Sequence, residues 1–202
     1  MLLVITNPEP VPGEITLWEQ LLAAGADALL LRRPGWTAAM YAQALEQTPP
    51  ACYQKIMVAG HWRLYHRFGL MGVHVNEQLR QQTTMPQLRQ YRQQGCCVST
   101  GIHNVFTLPL VRNEWDLLLL SPVFDSISKP GYKRQQPPDL LLPPHTGPAK
   151  VLALGGVHAG NAAKARQMGF NGLALLGAIW QTPAKAVEQL QDIKSIWNDP
   201  TL

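Results

Sequence analysis

The stretch LLLLSPVFDSISKPGY, at residues 117–132, contains the residues of this chain that are best placed for chemistry. Its four leucines are typical of a buried strand. The strand is followed by three serines and a lysine, which are Ser121, Ser126, Ser128 and Lys129. A lysine ammonium offers three N–H donors and a compact positive charge, which suits a phosphate or a carboxylate. We therefore expect Ser126, Ser128 and Lys129 to bind an anion where a strand ends.

These groups need elements to position them, and the chain alternates short apolar runs with longer amphipathic stretches. Eight runs have the hydrophobic character of strands in a buried parallel sheet. They are Leu2–Thr6, Ala28–Arg32, Lys55–Ala59, Gly72–Val75, Cys96–Ser99, Asp116–Leu120, Lys150–Leu154 and Gly172–Leu175. Between them, apolar residues three and four positions apart predict helices. The pattern predicts an α/β fold, a (β/α)8 TIM barrel, with a doubly wound open sheet as the alternative.

The repeat is irregular at its sixth helix. Residues 135–148 include five prolines, which remove backbone donors and restrict the residues before them. We predict a Pro-rich loop at about 135–148 in place of a full sixth helix. Since the sequence marks no linker, we expect residues 1–202 to form a single barrel domain.

Composition narrows the possible partners. The formal net charge is +4 without a run of basic residues, which fits a small anionic ligand and argues against nucleic acid. The apolar run in MLLVITNPEP is too short for a signal peptide or a membrane span, so we expect a cytoplasmic protein with no membrane partner. Three cysteines imply no disulfide framework, and the histidines show no zinc-ligand spacing. A homo-oligomer is compatible with the sequence.

The loops that follow the strands build the active site of a (β/α)8 barrel. This rule selects Arg32 at the end of the second predicted strand, His74 near the end of the fourth and His103 after the fifth. Arg32 offers a planar fork for a carboxylate or phosphate, whereas we expect Arg33 to be an ordinary surface charge. His74 suits either substrate binding or a structural hydrogen bond.

Small residues follow the last two predicted strands. Gly155 and Gly156 come after the seventh strand, and Gly177 and Ala178 come just after the eighth. Glycines leave backbone N–H groups unobstructed, and at the start of a helix these donors favour an anion. Glycines also serve simply to make tight turns, but their placement after both of these strands favours a phosphate site.

Seven motifs, in order along the chain, resemble those of the thiamine phosphate synthase/TenI family. They are VITN at 4–7, GADALLLR at 25–32, GVH at 72–74, SxxxH at 99–103, SPVFDSISK at 121–129, ALGGV at 153–157 and GAI at 177–179. The resemblance extends over almost the whole chain. It implies a (β/α)8 barrel that binds a thiazole phosphate in thiamine biosynthesis, which agrees with the phosphate site predicted from the small residues.

The family contains two chemistries. Its synthases join a thiazole phosphate to a pyrimidine diphosphate with release of pyrophosphate, and they use Mg²⁺, which requires carboxylate ligands. They carry Gln-Leu-Arg-Glu-Lys after strand two, Asn-Asp after strand three and an Asp shortly after strand four. Here those places hold Leu30–Pro34, Ala59–Gly60 and approximately Leu79, with Glu77 as the nearest acid. The sequence therefore predicts no metal site, and Mg²⁺ is expected only if the chain is a synthase.

TenI-type proteins lack this metal machinery, and the thiazole tautomerase among them moves a proton to aromatise a carboxylated thiazole phosphate. The resemblance implies that His103 is the general acid/base and that Lys129 is a second catalytic residue. The substrate-binding residues would be Arg32, Ser126, Ser128 and His74. We expect an enzyme of this type, without a cofactor. The alternatives are a thiamine phosphate synthase and a non-catalytic barrel that binds and regulates a thiamine intermediate.

Overall fold

The computed structural model describes residues 1–125, 136–137, 139–143, 147, 149–199 and 201. Within these ranges, strands β1 to β8 pair in parallel in chain order, and β8 pairs with β1 to close a barrel. The strands are β1 (Leu2–Ile5), β2 (Ala28–Leu31), β3 (Ile56–Ala59), β4 (Gly72–Val75), β5 (Cys97–Ile102), β6 (Leu117–Leu120), β7 (Lys150–Leu154) and β8 (Gly172–Leu175). The predicted (β/α)8 barrel is confirmed, and the open-sheet alternative is wrong because β1 and β8 are neighbours.

Helices connect these strands on the outside of the barrel. They are α1 (Glu14–Ala24), α2 (Ala38–Glu46), α3 (Trp62–Phe68), α4 (Glu77–Gln82), α5 (Met85–Gln93), α6 (Leu108–Val111), α7 (Ala159–Gln167), α8 (Gly177–Trp180) and α9 (Ala186–Asn198). Polar side chains cap several of them. Thr37, for example, accepts a hydrogen bond from the backbone N–H of Met40 at the start of α2. None of the helices in the described part of the chain is both long and apolar enough to cross a bilayer.

Each strand sends alternate side chains into two different cores. The barrel interior contains Leu3, Ile5, Ala28, Leu30, Met57, Ala59, Leu117, Leu119, Leu152 and Ala174. The intervening residues, such as Val4, Leu29 and Leu118, pack outward against the helices. Because both faces are buried, the strands appear in the sequence as continuous apolar runs.

Strand β5 differs from its prediction, because it covers Cys97–Ile102 instead of Cys96–Ser99. Its last three residues continue the ladder with β6, pairing with Leu118, Leu119 and Leu120. His103 therefore follows the strand directly. The Pro-rich loop stays a prediction, since only part of the 135–148 tract is described; none of the described residues between β6 and β7 is helical.

Candidate active site

A cavity of about 610 Å³ opens where the strands end. Its floor consists of apolar residues that point into the barrel, namely Ile5, Leu30, Leu119, Leu154 and Ala174. Polar residues line its wall, including Arg32, His74, Asn76, Glu77, Gln78, His103 and Ser121. Since every second residue of a strand faces inward, Arg32 follows Leu30 on the inner side of β2, and Ser121 follows Leu119. An apolar floor with a polar wall suits a small ring that carries charged substituents.

His103 is an exposed residue of this wall. Its ring Nδ1 lies 2.9 Å from the carbonyl oxygen of Ser121. A carbonyl oxygen can only accept a hydrogen bond, so Nδ1 carries the proton and donates it. In the neutral ring Nε2 then holds the lone pair and is able to act as a base.

His74 is buried in the wall and hydrogen-bonded to the neighbouring strand. Its Nδ1 lies 2.9 Å from Ser99 Oγ, and the two residues pair in register between β4 and β5. Burial, together with the positive charge of Arg32, lowers the pKa of His74 to about 4. The ring is therefore uncharged at neutral pH. It can form hydrogen bonds with a ligand, but it offers no positive charge to an anion.

Arg32 extends from the end of β2 and is exposed to solvent along the cavity wall. Its backbone is fixed by Thr6, whose Oγ1 accepts a hydrogen bond from the Arg32 N–H at 3.0 Å. None of the ion pairs formed among the described residues involves Arg32. Its guanidinium charge is thus available to an anionic ligand.

The prediction of Arg33 as a surface charge is wrong. Its side chain is buried, with 1% of the residue exposed, and forms an ion pair with Glu14 of α1. It also donates to the carbonyl oxygen of Asn7, and the Tyr41 hydroxyl donates to the Arg33 carbonyl at 3.1 Å. The backbone turns at the end of β2, so that two adjacent arginines point into different surroundings. Arg33 therefore joins α1 to the loop after β2, and Arg32 alone faces the cavity.

The glycines after β7 and β8 lie beside one another because these strands pair. Gly155, Gly156 and Gly177 line the cavity, whereas Ala178 lies one residue further along α8 and is buried. Gly156 has a positive φ of 66°, and a Cβ added there would lie 2.1 Å from the carbonyl oxygen of Asp125. The close approach of the chain after β6 therefore requires glycine at this position, whether or not a ligand binds.

Comparison with known proteins supports the fold and shows which family the chain belongs to. The family described as thiamine monophosphate synthase (TMP-TENI) matches residues 2–193. The chain belongs to the thiamine monophosphate synthase/TenI family. This confirms the resemblance seen in the sequence motifs, and it confirms the expectation of an enzyme of thiamine biosynthesis.

One curated relative and two solved structures illustrate the similarity. The thiamine-phosphate synthase of Laribacter hongkongensis is 26% identical over 204 residues, which cover 95% of this chain and 93% of the relative. The thiamine phosphate pyrophosphorylase of Bacteroides thetaiotaomicron superposes with a TM-score of 0.71 at 22% identity, over 97% of this chain and 96% of that one. The Pyrococcus furiosus pyrophosphorylase gives 0.74 at 15% identity, over 97% and 94%. The two structures establish the shared fold.

Three of the residues predicted to be part of the site, Ser126, Ser128 and Lys129, lie outside the described residues. Their anion-binding role stays a prediction. The chain that leads toward them is held against the glycine loop, because the N–H of Val123 donates to the Leu154 carbonyl at 3.0 Å and that of Phe124 donates to the Gly155 carbonyl at 3.1 Å.

The family's synthases use Mg²⁺, and the donor groups of this cavity do not fit that ion. Of the described residues that line it, Glu77 alone carries a carboxylate, and that carboxylate is paired with Arg80. Across the described ranges, no group of three or more His, Cys, Asp or Glu side chains is arranged to hold a metal ion. A Mg²⁺ ion prefers several oxygen ligands in octahedral geometry, so the residues present make a poor magnesium site.

Two amide side chains that support the site were missed by the sequence analysis. Gln136 donates through Nε2 to the His103 carbonyl at 2.9 Å. Asn161 donates through Nδ2 to the Gly156 carbonyl at 2.9 Å, and its Oδ1 accepts from the His158 N–H at 2.9 Å. The His158–Asn161 spacing of a capping box was the available signal for Asn161. Nothing local in the sequence distinguishes Gln136 from its neighbours.

Proposed function

We propose that this chain is a metal-independent thiazole tautomerase that aromatises a carboxylated thiazole phosphate. The observation that carries the proposal is the hydrogen bond from His103 Nδ1 to the Ser121 carbonyl. It leaves a basic Nε2 on the wall of a cavity whose floor is apolar. Moving a proton between carbons needs one acid/base group of near-neutral pKa, and imidazole is the side chain that meets this need.

The anionic ends of the substrate have separate partners in this proposal. The phosphate binds to the backbone N–H groups around Gly155, Gly156 and Gly177, near the start of α7 and at the start of α8, with Ala178 completing the second turn. The carboxylate pairs with the guanidinium of Arg32. Ser126, Ser128 and Lys129 are assigned to the same anionic groups, and Lys129 additionally stabilises negative charge that develops during proton transfer.

The reaction then needs only proton movement. Nε2 of His103 removes a proton from one carbon of the non-aromatic ring system, and the electron pair moves into conjugation. The imidazolium returns a proton at another carbon, so the thiazole becomes aromatic and His103 regains its starting state. The Ser121 carbonyl holds the Nδ1–H throughout and stabilises the transient positive charge.

Replacement of His103 tests this proposal. His103→Asn retains a donor toward the Ser121 carbonyl but has no basic nitrogen, so we expect kcat to fall about 10²- to 10⁴-fold. Binding of thiazole phosphate, measured by calorimetry, should change little because the phosphate partners remain. His66→Asn, at an exposed histidine of α3, is the matched control. Turnover that survives in the His103 variant would remove the proposed role.

A thiamine phosphate synthase is the second candidate, and the Laribacter hongkongensis relative of that name favours it. The assay supplies hydroxymethylpyrimidine diphosphate, thiazole phosphate and Mg²⁺ and measures thiamine phosphate. We expect little product, because Glu77 is the single carboxylate among the described lining residues. Rapid synthesis that a chelator abolishes would make the synthase the main activity and overturn the tautomerase proposal.

A further inference from the structure

Gln136 lies in a part of the chain far from His103 in sequence, yet its side chain bridges two backbone groups beside that histidine. Its Nε2 donates to the His103 carbonyl at 2.9 Å, and its Oε1 accepts from the Val105 N–H at 3.3 Å. A single amide thus contacts the backbone on both sides of Asn104. Gln136 is 6% exposed, so water competes poorly for these groups and each is costly to leave unpaired.

The ring and the backbone of His103 are held by two different positions in the connection between β6 and β7. Ser121, just after β6, accepts from the ring, while Gln136, fifteen residues later, holds the backbone. Two described positions, fifteen residues apart in this connection, therefore contact the same histidine. Asn104 adds a local restraint, because its side chain accepts from the Phe106 N–H at 2.9 Å.

We propose that Gln136 is a positioning residue for His103. The inference rests on the proposed function, since it assigns Gln136 the task of keeping the imidazole in the tautomer and orientation that proton transfer requires. An amide satisfies both backbone groups, because its N–H donates to the His103 carbonyl and its oxygen accepts from the Val105 N–H. If the backbone of His103 moves, the Nδ1–H loses its alignment with the Ser121 carbonyl, and the lone pair no longer stays on Nε2.

Two substitutions separate positioning from packing. Gln136→Met keeps the length of the side chain and removes the hydrogen bonds to the backbone of His103 and Val105. Gln136→Glu keeps the acceptor for Val105 but places an oxygen against the His103 carbonyl. We expect kcat for tautomerisation to fall about tenfold to a hundredfold in both variants, since displacement of a reacting group by about 1 Å has effects of this size. KM should change less than about threefold because the anion-binding groups remain in place.

Gln93→Met, at an exposed position of α5, is the control and should leave kcat and KM unchanged.

The ring itself gives a readout independent of turnover. Side-chain ¹⁵N NMR of His103 should show the Nδ1-protonated tautomer in the unaltered protein and a mixture in Gln136→Met. An unchanged kcat in a folded Gln136→Met protein, or a reduced kcat with an unaltered His103 ¹⁵N spectrum, would overturn the proposal. If Gln136→Met does not fold, the same two readings are taken on Gln136→Glu. Turnover that persists in His103→Asn removes the proposed function, whereas the ¹⁵N spectra still decide whether Gln136 orients the ring.

Discussion

His74 gives the protein a specific sensitivity to acid. Its ring is buried and bonded to Ser99 Oγ at 2.9 Å, and burial with the nearby Arg32 charge lowers its pKa from 6.5 to about 4. The unfolded chain takes up a proton at this histidine below its ordinary pKa, whereas the folded protein stays unprotonated until about pH 4. The unfolded state therefore binds more protons in this interval, and the free energy of unfolding falls as the pH decreases.

The size of this loss of stability follows from the lowered pKa of His74. A depression of about 2.5 units at about 1.4 kcal/mol per unit corresponds to roughly 3 kcal/mol of stability present at pH 7 and lost by about pH 4, with about 2 kcal/mol already lost at pH 5. Since a domain of this kind is stable by only about 5–15 kcal/mol, the loss is large enough to measure. Below the folded pKa both states are protonated, and the loss reaches its limit.

Urea unfolding between pH 7 and pH 5 tests the prediction in the unaltered protein and in His74→Gln. The altered bond to Ser99 should lower the free energy of unfolding of the variant by a similar amount at every pH. The variant also lacks the histidine that makes the unaltered protein less stable in acid. The unaltered protein's advantage in free energy of unfolding should therefore shrink by about 2 kcal/mol from pH 7 to pH 5. His66→Gln, at an exposed histidine, should leave the pH dependence as it is. If the free energy of unfolding depends on pH in the same way in the unaltered protein and in His74→Gln, His74 is not the source of this acid sensitivity.

Two further substitutions test how the site is supported. Gly156→Ala should destabilise the protein by more than about 1–2 kcal/mol, the cost of a left-handed backbone alone, because the new Cβ would lie 2.1 Å from the Asp125 carbonyl oxygen. Gly95→Ala, with φ 86° and nothing within 4 Å of a Cβ, should show only the backbone cost in the same urea experiment; equal losses would contradict the clash. Arg33→Met should lower stability by about 3–5 kcal/mol by leaving Glu14 buried without its partner. A second substitution that removes the Glu14 carboxylate should recover much of this lost stability. Arg67→Met, which breaks an exposed pair with Glu46, should cost less than about 1 kcal/mol; a similar loss from both arginines would contradict the buried pair.

The barrel was predictable because its signals are local and repeated. Strands buried on both faces must be apolar throughout, so runs such as Leu117–Leu120 predicted strands within one or two residues of their observed bounds. The end of β5 was harder to predict, because Thr100–Ile102 contain no apolar run and are held in the strand by pairing with β6. The end of β5 is set by its pairing with β6. The sequence of a single strand does not contain that information.

The candidate site was predictable where a residue's position at a strand end determines what it faces. Arg32, His74 and His103 all line the cavity, as that rule implies. Arg33 shows the limit of the rule: one backbone turn places it against Glu14 instead of solvent. Gln136 shows another limit, since it bonds to the backbone groups of His103 and Val105, which are more than thirty residues away in the sequence. Tertiary contacts to the backbone leave no pattern in the sequence.

The order of strands around the closed barrel explains how the proposed chemistry divides the cavity. In a ring of eight strands, β5 lies across from β1. His103 after β5 is therefore three strands from Arg32 after β2 and three strands from Gly177 after β8. A substrate whose carboxylate pairs with Arg32 and whose phosphate binds near Gly156 and Gly177 would occupy the side around β1. Its ring would then lie over the apolar floor and face β5. In this proposal Ser126, Ser128 and Lys129 follow β6, which is next to β5, whereas Arg32 lies three strands away. This distance keeps the positive charge of Arg32 away from the imidazole that must accept a proton.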